Sequence, residues 1–451
     1  MNKLFGTDGV RGIANKDLTC ELAMNIGRAA ALILAEKSQQ RPKIMIGKDT
    51  RLSSDMLEGA LVAGICSVGA DVLLLNVVPT PAVAFLVRKY KADAGIMISA
   101  SHNTFEFNGI KIFSGDGYKL PDSLEERIEN MLHENSENFP HPQGQDLGRV
   151  ITIKQADLDY IEHITNTAKL SLNGLKIALD CANGSACRTA NRLFRELGAE
   201  CHLIACSPNG ININENCGST NLSNLIAYVK ENHLDAGFAF DGDADRCLAV
   251  DENGNLIDGD IIMAICAADM KAQDKLMKNS VVGTIMTNMG FGKFCKENNI
   301  NFISTKVGDR YVLEEMLKEK YSLGGEQSGH IIFLEFSTTG DGQLTATQLL
   351  SIMQRKKSCL SNLAKLMSKY PQQIINIKIN NLKKVAFLKD PQILDIIESA
   401  NKQFCENGRV IVRVSGTEPL IRVMVEGEEE NATYSTCKQT ANALQKRINE
   451  L

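Results

Sequence analysis

The residues best suited to chemistry lie in Asp241-Gly242-Asp243-Ala244-Asp245-Arg246, directly after the apolar run Ala236 to Phe240. Three carboxylates at alternate positions around Gly242 can converge on one hard cation, and an all-oxygen set of this kind suits Mg2+. An acidic surface turn would use the same residue types. A calcium loop is disfavoured, because the twelve-residue loop with its terminal bidentate Glu is absent. Acids at a buried strand end repel one another without a cation, which favours the metal reading. A second stretch, Ile96-Met97-Ile98-Ser99-Ala100-Ser101-His102-Asn103, stops an apolar run in small polar side chains. Taken alone, Ser101 reads as a turn or capping residue. Opposite a metal loop it reads as a phosphoryl carrier, since a phosphoserine brings about −1.5 to −2 charge and oxygens that complete the metal shell. No Gly-x-Ser-x-Gly elbow points instead to a serine hydrolase.

Charge sets the next requirement. Three aspartates, a phosphate and Mg2+ sum to roughly −3, so cations must surround the site. The candidates are Arg246, Arg11 in Asp8-Gly9-Val10-Arg11-Gly12, and Lys111 in Asn108-Gly109-Ile110-Lys111. The glycine-framed turn Gly324 to His330 presents Glu326, Ser328 and His330, groups that suit sugar hydroxyls; a tight turn with a packed histidine is the alternative. In Thr305 to Arg310, Gly308 and Asp309 form a strand-end loop, where Asp309 could instead cap the next helix. Finally, Arg413, Ser415, Gly416 and Thr417, with Arg422 beyond, put forked guanidinium donors, hydroxyls and backbone N–H groups together as a phosphate clamp rather than an ordinary hairpin.

Regular elements must hold these loops. The spacing predicts a helix over Leu22 to Ala35, a strand over Lys43 to Gly47 ending at Lys48-Asp49-Thr50-Arg51, and a helix toward Val68 capped by Ser53 or Ser54. A strand over Asp71 to Val77, a helix over Pro81 to Tyr90 and a strand over Ala94 to Ile98 follow. Lys43-Ile44-Met45-Ile46 is echoed by Lys176-Ile177-Ala178-Leu179, and Asp93-Ala94-Gly95-Ile96 by Asp235-Ala236-Gly237-Phe238, at roughly 130–140 positions' separation, the mark of a duplicated domain. A fainter third copy starts at Ser280. The serine loop and the acid loop thereby fall at equivalent strand ends, where open α/β sheets collect their ligands. From about Tyr370 the style changes to strands at Ile374–Ile379, Val410–Val414 and Ile421–Val425 with helices at Pro391–Lys402 and Ala432–Leu451. The expected fold is α/β: three similar α/β domains with mixed sheets plus a smaller C-terminal α+β domain. The expected divisions are 1–160, 161–265, 266–370 and 371–451, with Glu134 to Gly148 a linker or exposed loop.

With 451 residues, 44% hydrophobic and 23% charged, the chain is long enough for several cores. A net charge of −5 without a dense Lys/Arg run argues against a nucleic-acid partner. The absence of an apolar leader or membrane-length run leads us to expect a cytoplasmic protein, monomer or homodimer. The 13 cysteines contain no Cys-x-x-Cys pair and read as reduced core residues rather than disulfides or zinc ligands.

Together, Gly6-Thr7-Asp8-Gly9-Val10-Arg11-Gly12, the Ser101 loop, the Asp241 loop and Gly325-Glu326-Gln327-Ser328-Gly329-His330 resemble the α-D-phosphohexomutase superfamily over essentially the whole chain, most closely its bacterial branch acting on glucosamine phosphates. The resemblance implies four domains around a central cleft, and interconversion of glucosamine 6-phosphate and glucosamine 1-phosphate, through a phosphoserine at Ser101 and a glucosamine 1,6-bisphosphate intermediate, on the route to UDP-N-acetylglucosamine. It implies that Asp241, Asp243, Asp245 and Ser101 hold Mg2+, and that Glu326 and Ser328 contact the sugar. Arg413, Ser415, Thr417 and Arg422 would grip the phosphate that is not transferred, while Lys111, Arg11, Arg246 and His330 would stabilise charge and move protons. Thr104 and Phe107 depart from the pattern, which usually has a proline and an acidic residue there, and bear on the stiffness of the serine loop. Phosphomannomutase/phosphoglucomutase activity, an aspartyl phosphatase at Asp241 and a non-catalytic sugar-phosphate sensor are the competing readings.

Overall fold

The computed structural model describes residues 4–6, 8–36, 40–133, 139–404, 408–414 and 420–450. Ser415, Gly416 and Thr417 of the expected clamp, and the first residues of the Glu134 to Gly148 segment, lie outside them. The chain divides into two compact units, residues 1–286 with 298–366, and residues 287–297 with 367–451.

The first unit contains three sheets built on one plan. In the first, β1 (Val10–Ile13), β2 (Lys43–Lys48), β3 (Asp71–Val77), β4 (Ala94–Ile98), β5 (Phe107–Ser114) and β6 (Val150–Thr152) lie in the order β1-β5-β4-β2-β3-β6. β7 (Lys176–Asp180), β8 (Glu200–Ile204), β9 (Ala236–Phe240), β10 (Cys247–Asp251) and β11 (Leu256–Ile257) form the second, in the order β11-β10-β9-β7-β8. β12 (Ser280–Thr284), β13 (Asn301–Thr305), β14 (Leu323–Gly325) and β15 (Ile331–Phe333) form the third, in the order β13-β12-β14-β15. Each copy has a strand flanked by two parallel partners, the second of which turns back into an antiparallel strand. The turn-back loops β4–β5, β9–β10 and β14–β15 carry Ser101, Asp241 to Arg246, and Glu326 to His330 respectively.

Central strands are apolar along their whole length because both faces are covered: β4 and β9 are buried at every residue. Helix Cys20–Leu34 buries Ile26, Ala30 and Ile33, and with helix Leu52–Ser67 covers the first sheet. Neither Ser53 nor Ser54 caps the latter helix. Arg51 is its N-cap without a side-chain bond, and the Ser54 hydroxyl donates to Asp49 Oδ1 at 3.0 Å. The division expected at 160/161 falls inside helix Ala156–Thr167, and that at 265/266 inside helix Gly259–Ala272. The Glu134 to Gly148 segment leads into β6, which pairs with β3, so the first sheet extends past it.

The second unit is an antiparallel sheet in the order β16-β18-β17, from β16 (Gln372–Lys378), β17 (Gly408–Val414) and β18 (Leu420–Gly427). Helices Asn381–Lys389, Pro391–Phe404 and Glu430–Glu450 accompany it, the first of them unforeseen in the sequence. Ile421, Val423, Val425, Cys437 and Leu444 fill its core. Helix Met289–Glu297, which connects β12 to β13, also belongs to this unit. Its Met289 N–H donates to Glu426 Oε1 at 3.1 Å, while Arg409 pairs with the same carboxylate and reaches the Thr287 carbonyl. Among the described residues no helix is long and apolar enough to cross a membrane.

Glu426 is fully buried, so its loss strands both donors. Glu426→Ala is expected to cost about 2–3 kcal/mol in urea unfolding of the second unit, with Glu426→Gln retaining part of that.

Candidate active site

Ser101 is 1% exposed and sits at φ 52°, in the left-handed region that a serine enters only at a cost of about 1 kcal/mol or more. A buried guanidinium holds it there. Arg51, 2% exposed, donates from Nη2 to the Ser101 and Asn103 carbonyls at 2.9 Å each, and from Nη1 to the Thr104 carbonyl and, at 3.0 Å, to that of Phe107. Its Nε donates to Asp49 Oδ2 at 2.8 Å, and Asp49 in turn accepts from the Ser99 hydroxyl, whose oxygen accepts the Ser101 N–H at 2.9 Å. Asn214, from the second copy, donates to the same Ser101 and Asn103 carbonyls at 2.9 Å. The loop is thus fixed through its backbone. Thr104 and Phe107 contribute carbonyls, which any residue supplies, and the Phe107 side chain is 36% exposed.

The acid loop meets the serine loop directly. Ser101 Oγ donates to Asp241 Oδ2 at 2.5 Å across 140 residues of sequence. The approach needs Gly242, since a Cβ there would lie 2.5 Å from the Ser101 carbonyl. Asp241, Asp243 and Asp245 are buried, with one oxygen from each lying within 4.8 Å of the others. Burial, then Asp245 and Asp243, push the Asp241 carboxyl well above the usual carboxylate range. Asp243, equally buried, is held low by Lys111 and by hydrogen bonds from Lys111 and Thr80. Oδ1 of Asp243 and Oδ1 of Asp245 are buried without a hydrogen-bond partner among the described residues. Oxygen-only donors, mutual repulsion and unsatisfied buried lone pairs fit a hard divalent cation.

The predicted cations gather at the same place. Lys111 Nζ lies 2.7 Å from Asp243 Oδ2, 3.1 Å from Asp8 Oδ2 and 3.4 Å from Asp245 Oδ2, and its ammonium is held well above its usual range by these carboxylates despite burial. Arg11 pairs with Asp8 and donates to Asn103 Oδ1 at 3.1 Å. Arg246 donates its backbone N–H to Asp241 Oδ1 at 3.2 Å, and its Nε stands 3.9 Å from Asp245. Burial, with Arg246 and Arg11 close by, pulls the His102 imidazole beside Ser101 down to about 3, so that it is neutral.

The third turn-back loop closes onto this group. Cys247 N–H donates to the Gly329 carbonyl at 3.0 Å, and Gly342 N–H to the Ala244 carbonyl at 3.0 Å, tying the acid loop to the third copy. Glu326 Oε1 accepts the Gly308 N–H at 3.1 Å. Ser328 Oγ is buried without a hydrogen-bond partner among the described residues. Asp309 does not cap the helix Asp309–Glu319 that it begins; Gly308 is the N-cap, and Asp309 pairs with Lys119 and lies 3.5 Å from His330 Nε2. Lys119 also reaches Asp8 Oδ1 at 2.6 Å, so a chain of alternating charges links Asp309, Lys119, Asp8 and Lys111 to Asp243. In the second unit, Arg413 and Arg422 face each other as a register pair of β17 and β18.

Sequence reasoning passed over Arg51, Asp8, Lys119 and Asn214. Asp8 stood inside a quoted motif and could have been found as the anion that three neighbouring cations need. Arg51 and Asn214 had no signal, because their partners are backbone carbonyls far along the chain.

The chain matches the family descriptions Phosphoglucomutase/phosphomannomutase, alpha/beta/alpha domain I over residues 2–139, domain II over 158–254, domain III over 258–370, and C-terminal domain over 374–443. It is 54% identical over 449 residues to the phosphoglucosamine mutase of Clostridium acetobutylicum, with 100% of both chains covered. The phosphoglucosamine mutase of Caldanaerobacter subterraneus subsp. tengcongensis is also 54% identical over 449 residues, again with 100% of both covered. Among solved structures, a phosphoglucomutase/phosphomannomutase family protein from Burkholderia thailandensis superposes with a TM-score of 0.82 at 23% identity, over 99% of this chain and 98% of that one. Aspergillus fumigatus N-acetylphosphoglucosamine mutase, solved in complex with GlcNAc-6P and magnesium, gives 0.70 at 16% identity, over 99% and 96%. At those identities the structural likeness is one of fold; the full-length sequence matches establish that the chain belongs to the phosphoglucomutase/phosphomannomutase family.

Proposed function

We propose that the protein is a phosphoglucosamine mutase, an isomerase that interconverts glucosamine 6-phosphate and glucosamine 1-phosphate in the cytoplasm. The observation that carries this reading is the 2.5 Å hydrogen bond from Ser101 to Asp241, which puts a buried hydroxyl against the acid loop. Relatives of the same length and 54% identity carry that activity in their names, which supports glucosamine over other sugars.

In the working form Ser101 Oγ bears a phosphoryl group. The P–Oγ bond breaks as the free O1 or O6 hydroxyl of the bound sugar phosphate forms a new P–O bond, and the hydroxyl proton passes to a basic group at the site. The product is glucosamine 1,6-bisphosphate, which turns over and returns its other phosphoryl group to Ser101. Asp241, Asp243 and Asp245, with Ser101 beside them, would hold Mg2+, which when bound would supply positive charge to the group in transfer. Lys111, Arg11 and Arg246 supply the remaining positive charge; His330 joins them in charge stabilisation and proton transfer. Glu326, Ser328, Gly308 and Asp309 contact the sugar. Arg413 and Arg422, cross-strand neighbours on β17 and β18, bind the phosphate that stays in place with their forked donors. Asp49, Arg51 and Asn214 act as positioning residues, holding Ser101 in its left-handed conformation. The four-part division of the chain runs with these loops, one to each part.

Turnover of glucosamine 6-phosphate should exceed that of glucose and mannose 6-phosphates in a coupled assay with added bisphosphate, and Ser101→Ala should lose more than about 10^3-fold of kcat. Preference for glucose or mannose phosphates would make the chain a sister enzyme. Binding without turnover would make it a sensor, and full activity of Ser101→Ala with loss in Asp241→Asn would favour the phosphatase.

Arg51→Lys removes the fork that spans four carbonyls while keeping the charge. A drop in kcat on the order of 10–100-fold with little change in KM is expected, because a misplaced nucleophile costs rate rather than binding. An equal loss in KM would instead mean that Arg51 touches substrate.

A further inference from the structure

The mechanism leaves one chemically capable cluster unused. Cys181, Cys187 and Cys206 bring their sulfur atoms within 4.8 Å of one another. They come from the carboxyl ends of two adjacent parallel strands: Cys181 directly follows β7, Cys187 lies in the short 3-10 turn Ser185–Arg188, and Cys206 stands two residues beyond β8. Three non-glycine residues in the left-handed region, Ala182, Asn183 and Ala205, fold the chain so that the sulfurs meet. Spacing alone hid this, since no two of these cysteines form a Cys-x-x-Cys pair.

We propose that Cys181, Cys187 and Cys206 form a binding site for a single thiophilic d10 cation of the Zn2+ class. Soft sulfur ligands select such ions, and three thiolates leave a fourth position for water. Among the described residues, and apart from one another, the thiols have only distant backbone carbonyls as partners, at 3.9 Å for Cys181 to Leu179 and 3.8 Å for Cys187 to Ala205 and for Cys206 to Cys187. The thiols release their protons to solvent as metal–sulfur bonds form. Cys187 and Cys206 are half-buried, which leaves a route of entry, while Cys181 closes the inner side.

The site is separate from the aspartate cluster but structurally joined to it. Gly184, between Cys181 and Cys187, packs so closely on the acid loop that a Cβ there would lie 2.3 Å from the Gly242 carbonyl, and the Ser185 N–H donates to that carbonyl at 2.8 Å. A cation tying the three sulfurs together braces the turn on which Gly242 rests.

The test uses the full chain, reduced and stripped with a chelator, in excess Mg2+ so that the aspartates are occupied. Titration with Cd2+ should produce a thiolate-to-metal charge-transfer band that saturates at one equivalent, which carboxylate ligation cannot give. Mass-spectrometric mapping of alkylation should show Cys181, Cys187 and Cys206 protected together by that equivalent, with Zn2+ competing. The band should vanish in Cys187→Ser/Cys206→Ser and persist in Cys359→Ser. The proposal is overturned if no band develops, if the equivalent protects other cysteines, or if the double variant keeps it. The footprint on the unsubstituted chain decides the matter even where a variant folds poorly.

Discussion

Three carboxylates of one loop are buried side by side, and this concentration of like charge constrains everything around it. Water cannot screen them, so their repulsion must be met by cations in contact. Lys111 does part of this from β5, and is itself held by Asp8, whose charge calls in Lys119 and Arg11. The network reaches from the first copy to Asp309 in the third. Even so, the buried Oδ1 atoms of Asp243 and Asp245 lack donors among the described residues, which leaves the site suited to a further cation and the phosphoryl group it would bind.

The chain reaches this concentration by repeating one plan. In each copy a parallel strand turns back into an antiparallel one, and the turn supplies a different chemistry: a hydroxyl from β4–β5, carboxylates from β9–β10, a carboxylate, hydroxyl and imidazole from β14–β15. Duplicated sheets place equivalent loops at equivalent edges, so divergence within the loops suffices to assemble a composite site. Glycines at 184 and 242 permit the close backbone approaches on which the assembly depends.

Much of this was legible in the sequence. β3 and β4 fall on the residues predicted, because a run such as Ala94 to Ile98, apolar on both faces and bounded by polar residues, has few alternatives to a central strand. The echo between copies was legible for the same reason, and Ser101, the aspartates and Lys111 were reached from chemistry and resemblance. What stayed hidden is what depends on distant backbone. Arg51 drew no reading in the sequence, yet it is buried because four carbonyls from the Ser101 to Phe107 stretch replace water around it. The alternative reading of Asp309 as a helix cap does not hold, since Asp309 is an ion-pair partner of Lys119. The helix Asn381–Lys389 has no strong apolar face to announce it, and the cysteine cluster exists only once β7 and β8 are paired.

The central claim is that Ser101 carries the phosphoryl group. Incubation of the protein with glucosamine 1,6-bisphosphate and Mg2+, followed by peptide mass mapping, tests it most directly. A single added phosphate on the peptide containing Ser101, discharged by glucosamine 6-phosphate, is the predicted result. Phosphate found on Asp241, or on no residue of an active preparation, would contradict it.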